Sequence, residues 1–247
     1  MIRTSESPFL TAEWRNLVML NYEVDPEILR SRIPAGTELD FWNGKTYLSV
    51  VGFQFFQTRL LGWKIPFHVN FSEVNLRFYV RHKSGQEWRR GVVFIREIVP
   101  RWAIAQVARR IYNEPYVAIP MRSDVYPPTE SNGWNGSITY EWKWRRNWGQ
   151  VSAQPHGTST PLPPGSNAEF IAEHYWGYTR QRDGSTIEYR VDHPAWRVWQ
   201  ADECRFSGDI HQLYGPEFVS ILAAPPSTAF VADGSTITVQ RGLPMRI

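Results

Sequence analysis

Between Glu73 and Arg81 the chain alternates without a break. Val74, Leu76, Phe78 and Val80 are apolar, and Glu73, Asn75, Arg77, Tyr79 and Arg81 fill the positions between them. Side chains along a strand point to opposite faces in turn, so this period of two predicts a strand with two unlike faces. Gln86 to Ile98 reads as its hairpin partner, joined through Lys83-Ser84-Gly85. Thr46 to Phe56 opens after Asn43-Gly44 and is hydrophobic on both faces, which predicts a strand buried on two sides. Ile138, Tyr140, Trp142 and Trp144 alternate with Thr139, Glu141, Lys143 and Arg145, and Thr186 to Val191 and Ser235 to Arg241 give two further strands.

Helical patterns are few and short. Asp25 caps a helix over Pro26 to Arg32, ended before Pro34. Ile104, Val107, Ala108 and Ile111 form an i, i+3, i+4, i+7 stripe behind Pro100. Asn167 caps a helix that runs on to Tyr175, and Pro216 to Ala224 makes another, stopped by Pro225-Pro226. Pro127 to Gly136 and the Pro/Gly-rich stretch 156–166 read as loops. No composition shift accompanies the second loop, so residues 1–247 are expected to form a single, mostly β domain with a few short helices.

Composition narrows the class. Trp, Tyr and Phe number 12, 11 and 13, residues that suit pleated surfaces and fill cores and pockets. One cysteine, Cys204, excludes a disulfide scaffold and a multi-cysteine metal site. The six histidines never occur at metal-ligand spacing, and no metal or other cofactor is expected. No apolar run is long enough for a membrane helix, and the N-terminus lacks the apolar stretch of a secretory signal. A cytoplasmic protein without a membrane partner is the expectation.

The net charge is +3, and of 27 basic side chains four are Lys. Arg81 to Arg122 holds nine Arg or Lys against three Glu. Such a stretch can meet nucleic acid. No nucleic-acid motif accompanies it, so it reads as a solvated face with counter-charges brought in by folding. Phosphate loops, G-x-S-x-G and H-E-x-x-H are absent. What remains for chemistry is the polar face of Glu73, Asn75 and Arg77, which is either an exposed edge or the wall of a barrel cavity.

Several segments together resemble one family. They are Asn21-Tyr22-Glu23-Val24-Asp25-Pro26, Phe71-x-Glu73-x-Asn75-x-Arg77-x-Tyr79-Val80, Gly91-Val92-Val93-Phe94, Ala108-Arg109 with Tyr112 and Pro115-Tyr116, and Phe170 to Tyr175 leading to His193-Pro194-Ala195-Trp196. In order and spacing they are similar to the YqjF-like uncharacterised family, within the acetoacetate decarboxylase-like superfamily. The resemblance covers roughly residues 8 to 215 and leaves 216–247 unaccounted for. It implies an antiparallel, cone-shaped β barrel with flanking strands and a ligand cavity, and so favours the cavity-wall reading of Glu73, Asn75 and Arg77.

The resemblance also implies a mechanism that this chain departs from. Acetoacetate decarboxylases use an adjacent lysine pair, one lysine forming a Schiff base. Residues 109 to 121 contain no lysine, and no Lys-Lys pair occurs anywhere. Arg109-Arg110 cannot substitute, because a guanidinium stays protonated. Where the decarboxylases carry an arginine in the first motif, this chain has Glu23. Glu73 matches their acidic group, and Tyr112 and Tyr116 lie where the lysines belong.

Two functions follow. In one, the chain is a small-molecule pocket protein holding a small, partly apolar carboxylate or carbonyl compound, with Arg77, Asn75, Arg109, Tyr112, Tyr116 and His193 as ligand-binding residues. In the other, it is a metal-free lyase or dehydratase without a Schiff base, with Glu73 as the catalytic acid–base and Arg77 either keeping Glu73 ionised or serving instead as the anion anchor. His193 would titrate near neutrality and shuttle protons, whereas His174 and Tyr178 are expected to pack against the barrel wall. A homo-oligomer is a possible assembly, and the aromatic strand from Tyr140 to Trp144 packs either internally or against another subunit.

Overall fold

The computed structural model describes residues 8–100 and 113–245. Its strands are β1 (Leu10–Val24), β2 (Glu38–Leu39), β3 (Thr46–Leu60), β4 (Phe71–Ser84), β5 (Glu87–Val99), β6 (Tyr116–Ala118), β7 (Met121–Tyr126), β8 (Ser137–Trp144), β9 (Asn147–Pro161), β10 (Trp176–Arg180), β11 (Thr186–Asp192), β12 (Arg197–Ser207), β13 (Thr228–Val239) and β14 (Leu243–Pro244). Seven of them close a ring in the order β11-β10-β5-β4-β3-β1-β13. The ring shuts where Val191 and Asp192 pair with Val239 and Thr238. Most pairings are antiparallel, but β5 pairs in parallel with both β10 and β6.

β13, from the stretch outside the family resemblance, is thus a wall of the barrel. Its first half pairs instead with β12, and the sheet continues outward through β9, β8 and β7. This flap folds back over the outside of β1 and β3. Alternation in the wall strands therefore feeds two apolar cores. Leu17, Met19, Val51 and Phe53 point into the barrel, while Val18, Leu20, Val50 and Leu76 point out against Tyr140, Trp142 and Val151 of the flap. The Tyr140–Trp144 strand packs internally. Gly52 makes the contact possible, since a Cβ there would lie 2.7 Å from both the Tyr140 ring and a Val151 methyl. The Tyr140 hydroxyl also donates to the Asn16 carbonyl at 2.9 Å, where β1 bulges through a left-handed Asn16.

One barrel end is plugged by the short helix Asn167–Ala172, whose Phe170, Ile171 and Ala172 join the inner core beside Tyr47 and Tyr79. Its N-cap is Ser166, accepting from the Glu169 N–H, so the cap lies one residue before Asn167. Asn167 has another task. Its Oδ1 accepts from Thr228, and a buried chain continues through Asn21 and Ser49 to the Tyr79 hydroxyl, tying helix to barrel.

The expected loop 156–166 is shorter than its composition suggests, because β9 runs to Pro161. Beyond Ala153 β9 pairs with β12 on one edge and with residues 134–136 on the other, where Pro155 only accepts, from the Gly136 N–H, and a bulge takes up Gly157 in a left-handed turn. The helix capped by Asp25 is present, as are the one-turn helices after Pro216. The helix expected behind Pro100 lies outside the described residues. Among those described, no helix is long and apolar enough to cross a membrane.

Candidate functional site

β4 supplies one wall of a cavity inside the ring. Phe71, Glu73, Asn75 and Arg77 line it, and Phe71 stacks on Phe55 at 4.5 Å. The space measures about 180 Å³, roughly a dozen water-sized positions. Much of its wall is apolar, with Trp14, Phe53, Phe55 and Trp196 in edge-on contact around Trp14. The expected cavity-wall placement of Glu73, Asn75 and Arg77 is therefore what the fold produces: they are only 2%, 2% and 9% exposed.

Two further glutamates, unforeseen in the sequence, face the same space. Strict alternation along β5 from Val92 and Phe94 would carry Arg96 inward and Glu97 outward. A register shift opposite Leu76 and Arg77 inserts one residue, so Ile95 and Arg96 both face outward and Glu97 turns in. Arg96 instead donates to the Leu213 carbonyl outside. Glu114, just ahead of β6, completes the group. The local signal is present, since Glu97 and Glu114 are two of the three acids in the basic stretch 81–122.

The hydrogen bonds set the chemistry. Glu73 Oε1 accepts from Asn75 Nδ2 at 3.0 Å, and its Oε2 accepts from the Tyr116 hydroxyl at 3.2 Å. Tyr189 donates to Glu114, which Thr179 also supports. The Tyr189 ring reaches that position by lying over Gly177, where a Cβ would come within 2.1 Å of it. Glu97 Oε2 has no partner. Burial raises the pKa of all three acids, and repulsion from the neighbouring glutamates adds to it for Glu73 and Glu97. Glu73 and Glu114 are pushed up to about 7, and Glu97 well above its ordinary value.

This corrects the expected Glu73–Arg77 relation. Among the described residues Arg77 forms no ion pair. Its Nη2 donates to the Ile171 carbonyl at 3.5 Å, its guanidinium lies 5.6 Å from the Tyr79 ring centre, and its Nε has no partner. Its attraction is the weakest of the influences on Glu73, and desolvation is the strongest. Glu73 is a proton-holding acid near neutrality and not a carboxylate fixed in its ionised form.

The histidines also part from expectation. His193 lines the cavity, stacked at 4.3 Å on Trp196, with Nδ1 donating to the Pro194 carbonyl. Burial holds its pKa below the usual value, so it is neutral at neutral pH and is no shuttle there. His174, expected against the wall, lies beyond the end of its helix and lines the cavity. Its Nε2–H donates to Asp40 at 3.2 Å, and Arg90 holds the same oxygen at 2.6 Å. Burial pushes His174 down to about 4, so the ring is neutral and Nδ1 is a lone pair without a partner. Tyr178 is buried outside, in the second core. Tyr116 is in the cavity, whereas Arg109 and Tyr112 lie outside the described residues.

Among the described residues, no group of three or more His, Cys, Asp or Glu is arranged to hold a metal ion. All four lysines, at 45, 64, 83 and 143, are exposed and none lines the cavity. Cys204 is half-buried, with burial raising its thiol to about 11, which makes it a weak nucleophile.

The fold recurs in solved structures. The enduracididine biosynthesis enzyme MppR, with HEPES buffer bound, superposes with a TM-score of 0.70 at 14% identity, covering 99% of this chain and 90% of that one. The same enzyme complexed with pyruvate gives 0.69. Acetoacetate decarboxylase from Legionella pneumophila gives 0.65 at 14% identity, over 97% of this chain and 87% of its own. In sequence, the uncharacterized protein YqjF of Bacillus subtilis (strain 168) is 28% identical over 195 residues, 76% of this chain and 74% of YqjF. The DUF2071 family, described as "Uncharacterized conserved protein (COG2071)", matches residues 11–236, which takes in most of β13 and extends past the stretch that carries the motifs. By that match the chain belongs to the DUF2071 family, on an acetoacetate decarboxylase-like barrel.

Proposed function

We propose that this protein is a small-molecule pocket protein that binds a small, partly apolar carbonyl or carboxylate compound inside the barrel, without a Schiff base. The observation that carries the reading is an apolar cavity on which Glu73, Asn75, Arg77, Glu97, Glu114 and Tyr116 converge. A few polar groups in a mainly apolar concavity are the usual make-up of a ligand site. The unpartnered Arg77 Nε is a donor for the ligand's oxygen, and Trp14, Phe53 and Phe55 offer a surface for its apolar part. The size of the space suits a molecule of a few carbons. MppR, complexed with pyruvate, holds a compound of this class on the same fold. A Schiff base has no place in the reading because no lysine lines the cavity.

A second reading, favoured by one observation, makes the same pocket catalytic. Glu73 is poised near pH 7, where a general acid–base works best, and Tyr116 can relay or donate a proton beside it. Proton abstraction or dehydration next to a carbonyl would then need neither metal nor lysine.

The test is a thermal-shift screen of the native protein and Arg77→Met against short carboxylates, β-keto acids, aldehydes and apolar acids. A ligand at a hundred times its Kd stabilises by about 2.7 kcal/mol. Hits that shift the native protein and not the variant establish Arg77 as the anchor. A set of ligands that shifts neither, or both alike, ends the small-acid reading. Glu73→Gln then separates the two functions, since the catalytic one requires that it keep binding and lose turnover.

A further inference from the structure

Around the carboxyl groups of the cavity, four buried atoms have no hydrogen-bond partner: Asn75 Oδ1, Glu97 Oε2, His174 Nδ1 and Arg77 Nε. Their residues are 2%, 1%, 7% and 9% exposed. Trp14 Nε1, a donor, and Thr58 Oγ1, which can donate or accept, are also without a partner on the lining given by β1 and β3. Buried polar atoms are nearly always paired, so orphans gathered on one cavity indicate what its occupant must supply. Three of the first four are acceptors: Asn75, Glu97 once its proton has left, and His174, whose N–H is already given to Asp40. The cavity is also short of positive charge. Three carboxyl side chains face it, and among the described residues Arg77 is the only Arg or Lys lining it.

We propose that the cavity takes a small organic cation, a protonated primary amine on an apolar body. Its ammonium group would lie among Glu73, Glu97 and Asn75, and its body against Trp14, Phe53 and Phe55. This rests on the reading of the cavity as a ligand site and names the class of ligand it selects: a carbonyl compound that also carries an amine, with Arg77 taking the oxygen. An ammonium has three donors and no acceptor, which matches orphaned acceptors better than a carboxylate or an alcohol does. The proton balance follows from the site. The polar and titratable groups around the carboxyls, among the described residues, are Arg77 and Asn75 from β4, His68 just ahead of β4, Tyr116 from β6, Thr179 from β10, Tyr189 from β11, and the neutral His174 and His193. Among the described residues that line the cavity Arg77 is the one Arg or Lys, and burial keeps protons on the acids of the empty cavity toward neutrality. The incoming ammonium replaces one of them, and that proton leaves to solvent.

Isothermal titration of the native protein with benzylamine, benzyl alcohol and benzoate tests this, at pH 6 and pH 8 and in two buffers of different ionisation enthalpy. Benzylamine should bind most tightly, release about one proton at pH 6 and fewer at pH 8, where Glu73 is already ionised, and tighten by up to about tenfold per pH unit below pH 7 as the acids ionise. Glu97→Gln should weaken benzylamine about tenfold or more and weaken benzyl alcohol far less. Asn75→Leu should weaken it as well, and the proton count on the native protein stands even if either variant fails to fold. Benzoate or benzyl alcohol binding as tightly as benzylamine overturns the amine assignment and leaves the pocket reading standing. Amine binding at pH 6 without proton release also overturns it. If none of the three binds, both readings fall.

Discussion

Replacing Glu73 with Gln should make the protein more stable at pH 8 and change it much less at pH 5. Burial lifts the Glu73 carboxyl from its ordinary 4.5 to about 7 in the folded state. Below pH 4.5 it is protonated folded and unfolded alike, and it costs nothing. As the pH rises, the unfolded chain releases the proton first, so stability is lost across the window from 4.5 to 7. At about 1.4 kcal/mol per tenfold, the full cost above pH 8 is roughly 3 kcal/mol. Gln carries no charge to desolvate, and the site can accept it. The substituted amide would keep one oxygen for the Tyr116 hydroxyl, and a turned Asn75 amide would present its unpartnered Oδ1 to the new N–H₂. Thermal melts of both proteins from pH 5 to pH 8 provide the assay. For a chain of this size about 2 °C accompanies each kcal/mol, so a separation of roughly 6 °C should open at pH 8. A residual slope in the variant belongs to Glu97 and Glu114. Parallel curves for the two proteins, or a variant less stable at pH 8, would refute the argument that desolvation governs Glu73.

Tyr116→Phe acts in the opposite sense: it removes the donor to Glu73 Oε2 and should cost about 1–3 kcal/mol above pH 7 but much less at pH 5, read from the same melts. Gly52→Ala should destabilise by about 1–3 kcal/mol at every pH, because its Cβ would press the Tyr140 ring and Val151 at 2.7 Å. A melting temperature unchanged by that substitution would mean the flap does not sit against the barrel wall.

Where pattern and environment agree, the fold is legible. The alternation from Glu73 to Arg81 marks β4, and the two-sided apolar run from Thr46 marks β3, buried on both faces because the barrel core lies on one side and the flap on the other. The same alternation cannot say that its polar face is enclosed. That depends on the closure of β11 onto β13, between residues nearly fifty positions apart. Glu97 is hidden for a local reason, since a single inserted residue in β5 reverses every later orientation. Glu114 sits outside any regular strand, and periodicity has no purchase there. His174 escapes the pattern because the helical signal from Asn167 runs on past the point where the helix stops. Its end at Ala172 frees the ring to turn toward Asp40 and the cavity.

Burial has opposite effects on amines and acids, and this bears on what a barrel without an interior lysine can do. Desolvation lowers the pKa of a buried lysine toward neutrality and makes it a nucleophile; it raises the pKa of a buried carboxyl toward the same range and makes it a proton donor. In this chain every lysine is exposed, and the carboxyls that face the cavity and are raised by desolvation are Glu73, Glu97 and Glu114. Three acids around one arginine destabilise a core that apolar side chains of similar volume would fill without cost. The inner core contains such a filled region at its plugged end, where Phe170 and Ile171 pack with the Tyr47 and Tyr79 rings. The carboxyls are therefore not what closes the barrel. Their effect is to hold exchangeable protons near pH 7 at the polar groups of an apolar cavity, and both binding of an amine and acid–base work on a carbonyl draw on that one property.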